Sequence, residues 1–169
     1  QSISDFYEEF PKINPKRRRL ILDIGVSMGE DDLAEIEGFR IRINRYALYD
    51  PEILARNMAG NTSGRTIESL IRHELGHLIE SAYHVSGLEA AKATLEQLQG
   101  TKPGEAETIQ YLLKNVSRYS VKPTEFLAGE KVKILYNELI PEVLGGKGFI
   151  PEDFYQTFVK ILHGKERSR

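Results

Sequence analysis

Thr66-Ile67-Glu68-Ser69-Leu70-Ile71-Arg72-His73-Glu74-Leu75-Gly76-His77-Leu78-Ile79-Glu80-Ser81-Ala82-Tyr83 is the stretch on which the reading of this chain turns. Ile67, Leu70, Ile71, Leu75, Leu78 and Ala82 recur at three- and four-residue spacing, which predicts a helix with one core-facing stripe. Thr66 is the expected N-cap, and Glu68 in the first turn favours the helix dipole. On such a helix His73 and His77, at i and i+4, project in nearly the same direction, so both imidazoles can reach one ion. Glu74 points to the adjacent side, where it can take a proton from a water on that ion without being a ligand itself. With four histidines and nineteen glutamates in 169 residues, the pattern arises by accident in about one such chain in a hundred. A metal site therefore outweighs two surface histidines flanking an ordinary glutamate. Gly76 costs about 1 kcal/mol inside a helix, which predicts that another part of the chain passes close by there.

Working outward, Leu20, Ile21, Leu22, Ile24 and Val26 form a short apolar run expected to be a buried strand. Lys16 to Arg19 before it read as a solvated lead. Residues 30–38 are acidic and ambiguous. Phe39, Ile41 and Ile43 then alternate with Arg40, Arg42 and Asn44, the period of a strand with one buried face, and the exposed arginines suit an edge strand over about 39–46. Asp50-Pro51 predicts a short helix to about Met58, followed by a turn-rich loop over 59–65. Gly87 closes the helix of the His pair. Further helices are expected at about 88–99, 104–117 and 124–140, and a last one from Pro151 with Phe154, Phe158, Ile161 and Leu162 on one stripe. Gly145-Gly146-Lys147-Gly148 lacks the spacing and following Ser or Thr of a phosphate loop and reads as a flexible turn. Strands first and helices later make an α+β order in a single domain.

Composition narrows the chemistry. A net charge of -2 argues against a broad nucleic-acid-binding face. The lack of cysteine excludes disulfides, iron–sulfur clusters and thiol nucleophiles, so a metal here must sit on histidine and carboxylate. No apolar window is long enough for membrane insertion. The chain opens at Gln1 rather than Met, as expected of a processed form or a piece of something longer.

A catalytic zinc needs a third protein ligand and an open position. The long metzincin pattern fails, because Glu80 and Tyr83 stand where Gly and His are required. His84 lies two turns beyond His77, about 10.5 Å along the axis and out of reach. His163, on an amphipathic terminal helix, reads as solvent-facing. Glu125 is the better candidate: Pro123 predicts a helix start that would fix Glu125 in its first turn and let it approach the ion from a second helix, Gly129 allowing close contact one turn on. The plainer alternative is a glutamate that stabilises its own helix.

His73-Glu74-Leu75-Gly76-His77, with Pro123-x-Glu125-Phe126-Leu127-Ala128 and a tyrosine between, resembles the zinc metallopeptidase domain of anthrax lethal factor and its relatives, which include metallopeptidase-like domains of phage head-associated proteins. The resemblance covers about residues 39–140. It implies a gluzincin-type zincin fold, one zinc per chain held by His73, His77 and Glu125, Glu74 as general base, Tyr119 as oxyanion partner, and a protein or peptide substrate. Leu127 replaces the family's second Phe, and Gly129 stands where the family has a second Glu one turn after the third ligand. Tyr111 is a second tyrosine, expected in the core.

The expected function is thus a zinc-dependent endopeptidase, bacterial or phage-associated. The alternative, motivated by Gly129, is a catalytically inactive zincin-fold structural or interaction module of a phage particle. Zincins in general hold substrate along an edge strand, which predicts β-augmentation on Phe39 to Tyr46, with Arg40, Arg42 and Asn44 selecting acidic side chains. The bland reading gives those arginines only the work of keeping an edge soluble.

Overall fold

A computed structural model describes residues 2–13, 21–25, 34–38, 40–44, 52 and 62–167. Lys16 to Arg19 lie outside the described residues, as do Phe39, Tyr46 and all of the expected Asp50–Met58 helix except Glu52. The chain opens with α1 (Ser2–Glu9), followed by three short strands, β1 (Ile21–Gly25), β2 (Ala34–Glu37) and β3 (Arg40–Asn44). Three helices come next: α2 (Ile67–Tyr83), α3 (Gly87–Gln99) and α4 (Glu105–Asn115). A 3-10 turn (Tyr119–Val121) leads to a hairpin of β4 (Thr124–Ala128) and β5 (Lys131–Leu135), then α5 (Leu139–Gly145) and α6 (Glu152–Arg167). This is a mixed α+β architecture.

The strand order in the first sheet is β1-β3-β2, with β1 parallel and β2 antiparallel to β3. Arg40–Asn44 is therefore the central strand, which corrects the expected edge over 39–46. The alternation of Ile41 and Ile43 with Arg40 and Arg42 reports one buried face, and a strand can have one buried face in the middle of a small sheet as well as at its rim. The acidic stretch read as ambiguous contains β2, which ends the strand order beside α2. Arg42 pairs on the exposed face of the sheet with Glu35 on β2, 2.8 Å away and its partner in the register.

The second correction concerns residues 124–140, expected as one helix. Gly129, at φ +68°, and Glu130 make a two-residue turn between Ala128 and Lys131. Glycine at the first central position suits a turn whose twist matches two antiparallel strands, and the alternation Lys131-Val132-Lys133-Ile134 continues the strand. Helix begins only at Leu139.

α2 runs through the core. Thr66 caps it as expected, its hydroxyl accepting from the Ser69 amide at 3.1 Å. Leu75 and Ile79 are fully buried, in one cluster with Phe6 and Phe10 from the N-terminal segment and Phe154 and Phe158 from α6. Burying each such side chain is worth roughly 1.5–3 kcal/mol. At the end of α2, His84 takes the left-handed cap position and is exposed.

α2 and α5 pack with almost no separation. A Cβ on Gly76 would stand 2.7 Å from Pro141 Cα, and one on Gly145 would stand 2.9 Å from the Ser69 carbonyl oxygen and 3.0 Å from His73 Cβ. The close approach predicted at Gly76 is thus met by α5. Gly145 and Gly146, expected in a flexible turn, are instead buried against α2 and its neighbours. Arg72 locks the arrangement: its Nε donates to the Leu144 carbonyl at 2.9 Å, and its Nη2 reaches Glu9 at 3.3 Å and the Tyr155 hydroxyl. A buried guanidinium so paired keeps its charge compensated. Among the described residues no helix is long and apolar enough to cross a membrane.

Candidate metal centre

On α2, His73 and His77 face the same side, their ring centroids 5.3 Å apart. α5 passes over that side, and Glu138, at its N-terminal cap, is brought between them: Glu138 Oε2 lies 2.9 Å from His73 Nε2 and 3.3 Å from His77 Nε2. One ligand atom from each of these three residues falls within 4.8 Å of the others, a set that could hold a metal ion. Glu138 Oε2 is buried and faces both imidazoles. A buried carboxylate oxygen and two imidazole nitrogens converging on one point fit a divalent cation, which would satisfy all three together.

Glu142, one turn after Glu138 and 1% exposed, stands behind His73 with Oε1 2.9 Å from Nδ1. A proton held on Nδ1 leaves the Nε2 lone pair free for the ion and fixes the ring. Glu142 is itself held by three groups: Oε2 accepts from the Ser63 amide at 2.7 Å and the Ser117 hydroxyl at 2.6 Å, and its carbonyl accepts from the Ser63 hydroxyl. Gly64, Gly145 and Gly146 allow this packing, since a Cβ on any of them would collide with a neighbour.

The electrostatics favour a cation. Burial alone would discourage charge on His73, but hydrogen bonds to Glu138 and Glu142 outweigh it and raise its pKa to about 10. Burial likewise works against Glu138, yet His73 and His77 overcome it and lower its pKa to about 2. Burial raises the pKa of Glu74 more than the two histidines lower it, with Glu138 and Glu35 adding to the rise. Glu74, at 5% exposure, is therefore a carboxylate made more basic beside the two imidazoles.

Tyr119 stacks on His73 at 6.0 Å between ring centroids and hydrogen-bonds Glu138. Burial, then the charge of Glu138, pushes its pKa up to about 12, so the hydroxyl keeps its proton at neutral pH. The neighbouring Ser117 and Ser120 are buried and hydrogen-bonded to one another, which fixes the turn carrying it.

Of the residues singled out in the sequence, His73, Glu74, His77 and Tyr119 are brought together and Glu125 is not. Glu125 is exposed on β4, opposite Ile134, and does not join the histidine cluster. The structure places Glu138 rather than Glu125 beside the two histidines, because Pro123 opens a strand and α5 starts only after the hairpin. Glu138 and Glu142 carried a weak signal, two carboxylates one helical turn apart, which on a short apolar helix is easily passed over. Arg40, Arg42 and Asn44, proposed to line a substrate edge, belong to the central strand, and Asn44 is buried. His163 packs against the rings of Phe10 and Tyr83, and Tyr111 against Phe154. No family model, curated protein or solved structure matches the chain.

Proposed function

We propose that the chain is a zinc-dependent endopeptidase of gluzincin type, with His73, His77 and Glu138 as metal ligands. The observation that carries this reading is the convergence of Glu138 on both histidines of the His-Glu-x-x-His helix, with Glu142 behind His73. With this ligand the lethal factor-like resemblance keeps its His-Glu-x-x-His part and gives up the Glu125-Phe126-Leu127-Ala128 match, but gains another. That family has a second glutamate one turn after the third ligand, and Glu142 stands at that spacing from Glu138 where Gly129 fails it from Glu125. The motive for the inactive-module alternative lapses with that reassignment.

When bound, zinc supplies a Lewis acid that polarises a carbonyl and acidifies water beside it. Glu74, made more basic by burial, takes the proton of the attacking water and returns it to the leaving amine. Tyr119 keeps its hydroxyl proton and donates to the oxygen on which negative charge develops. An extended peptide pairs with β2, the strand that ends the sheet order beside α2, rather than with β3.

Metal analysis and a peptide-library digest test this directly. The expected result is one zinc per chain, lost in His73→Ala and His77→Ala. Cleavage should fall at least about a hundredfold in Glu74→Gln while zinc is retained. A folded chain that takes up no zinc ends the proposal. A zinc-loaded wild type as inert as Glu74→Gln returns the protein to the interaction-module class.

A further inference from the structure

The β4–β5 hairpin stands outside the packing of the rest of the chain. It is joined to no other strand among the described residues, and none of residues 124–135 enters the hydrophobic core. Phe126, Leu127, Val132 and Ile134 are exposed on it. A two-stranded ribbon is marginally stable in water, and three or more strands with an apolar face are needed for independent stability. The register puts Glu125, Leu127, Val132 and Ile134 on one face and Phe126, Lys131 and Lys133 on the other.

The two outer edges of the ribbon differ. The middle residue of β5 is Lys133, so a second copy paired antiparallel about it would set lysine directly against lysine. β4 carries no lysine and no proline from Thr124 to Ala128, and its middle residue is Phe126. It lacks the devices that blunt a free edge. Counted from the two-residue turn at Gly129-Glu130, the alternation of an antiparallel ladder turns the amides and carbonyls of Thr124, Phe126 and Ala128 towards β5 and those of Glu125 and Leu127 outwards. Under a two-fold axis at Phe126 these outward groups match, Glu125 meeting Leu127 of the second copy and Leu127 meeting its Glu125. Phe126 then faces its own counterpart at a position without ladder hydrogen bonds, where opposed side chains come closest, and no like charges are opposed along the strand.

We propose that β4 pairs antiparallel with β4 of a second copy of this chain about Phe126, joining two hairpins into one four-stranded sheet. Leu127, Val132 and Ile134 of both copies then share one face, and the lysines lie on the other. β4 follows the turn that carries Tyr119, and β5 ends shortly before Glu138, so the contact steadies the chain on both sides of the candidate metal centre. It requires neither a bound metal nor catalysis.

Sedimentation equilibrium on the full chain, at concentrations up to about 1 mM, should show a reversible monomer–dimer equilibrium. Phe126→Lys opposes like charges at the axis, and Leu127→Pro removes an outward amide that the hairpin does not use. Each should raise the dissociation constant at least about tenfold. The chain has no cysteine, so one introduced by Phe126→Cys is unique. Across the axis the two Cα atoms would stand about 4.5 Å apart, inside the range of about 4.4–6.8 Å that disulfides span. Mild oxidation should therefore link two copies of Phe126→Cys, and should not link Lys133→Cys on the opposite edge. This readout leaves the strand intact, so it decides the matter even where Leu127→Pro fails to fold. A chain that stays monomeric at about 1 mM and is not linked at Phe126→Cys overturns the proposal. A dimer indifferent to Phe126→Lys, or linked at Lys133→Cys and not at Phe126→Cys, overturns the β4 pairing.

Discussion

Two acidic segments compete for the third ligand position, and they fold in opposite ways. Around Glu125 the β4–β5 hairpin exposes both faces: Phe126 is 53% and Leu127 72% exposed, with Val132 and Ile134 similarly bare. Around Glu142 every residue of α5 is buried, and the helix lies so close to α2 that only glycine fits at 76 and 145. The difference teaches that a carboxylate reaches the histidines through the element that carries it into the core. Glu125 has the more suggestive neighbours in sequence, and Glu138 has the contact. A two-stranded ribbon without a buried face cannot hold a side chain against a charged site, whereas a helix fixed by Arg72, Ser63 and Ser117 can.

Replacing each glutamate in turn would break or sharpen this contrast. Glu138→Gln is expected to weaken zinc binding by more than about a hundredfold, beyond what loss of an outer hydrogen bond produces, while Glu125→Gln stays within about twofold. Competition with a chromophoric chelator measures both, and equal losses would undo the assignment. The next effect down belongs to Glu142→Gln, expected to cost about 10–100-fold in zinc affinity, because His73 loses the group that holds its Nδ1 proton. If Glu142→Gln binds zinc as tightly as wild type, the ring of His73 is positioned by packing alone.

The glycines give a smaller, stability-level comparison. Gly76→Ala drives a methyl group towards Pro141 backbone and should destabilise the fold by about 1–3 kcal/mol in urea denaturation. Gly129→Ala places alanine at positive φ with open space around it, so its strain, about 1–2 kcal/mol, stays within the hairpin and leaves the global midpoint nearly unmoved.

A last comparison sets the two sides of the site against each other through pH in the zinc-free protein. His73, raised to about 10, contributes stability that is fully present below its unfolded value near 6.5 and is lost as pH rises through 10. Glu138, lowered to about 2, contributes stability present above about 4.5 and lost as pH falls through 2. Unfolding midpoints of the zinc-free chain should therefore decline on both sides of a plateau near pH 4.5–6.5. Zinc uptake at pH 8 should release close to one proton from His73, measurable by calorimetry in buffers of different ionisation enthalpy. Uptake without proton release would mean that His73 is already neutral.

Much of the site was legible because its signals are local. His73, Glu74 and His77 lie within a single helical turn or so, and helix geometry alone decides which side chains share a face. Gly76 announced a close neighbour through its cost in a helix. Tyr119, by contrast, was assigned through resemblance, and it is α5 that brings Glu138 to its hydroxyl. Strand against helix over 124–135 was misjudged because Pro123 opens either, and the two-residue turn at Gly129-Glu130 was read as part of a helix face. The edge was misjudged because alternation in Phe39 to Asn44 says which face is buried and nothing about what lies on either side.

By itself, then, the amino-acid sequence determined the α+β order, the helix from Ile67 to Tyr83 and the shared face of its two histidines, since each depends on residues a few positions apart. Only the tertiary structure decided that Glu138 and not Glu125 completes the cluster, that Glu142 backs His73, and that β2 and not β3 ends the sheet beside α2. These depend on which distant segments meet, and that is settled by burial of α5 against Gly76 and by hydrogen bonds from Ser63 and Ser117 to Glu142, contacts for which no local periodicity exists.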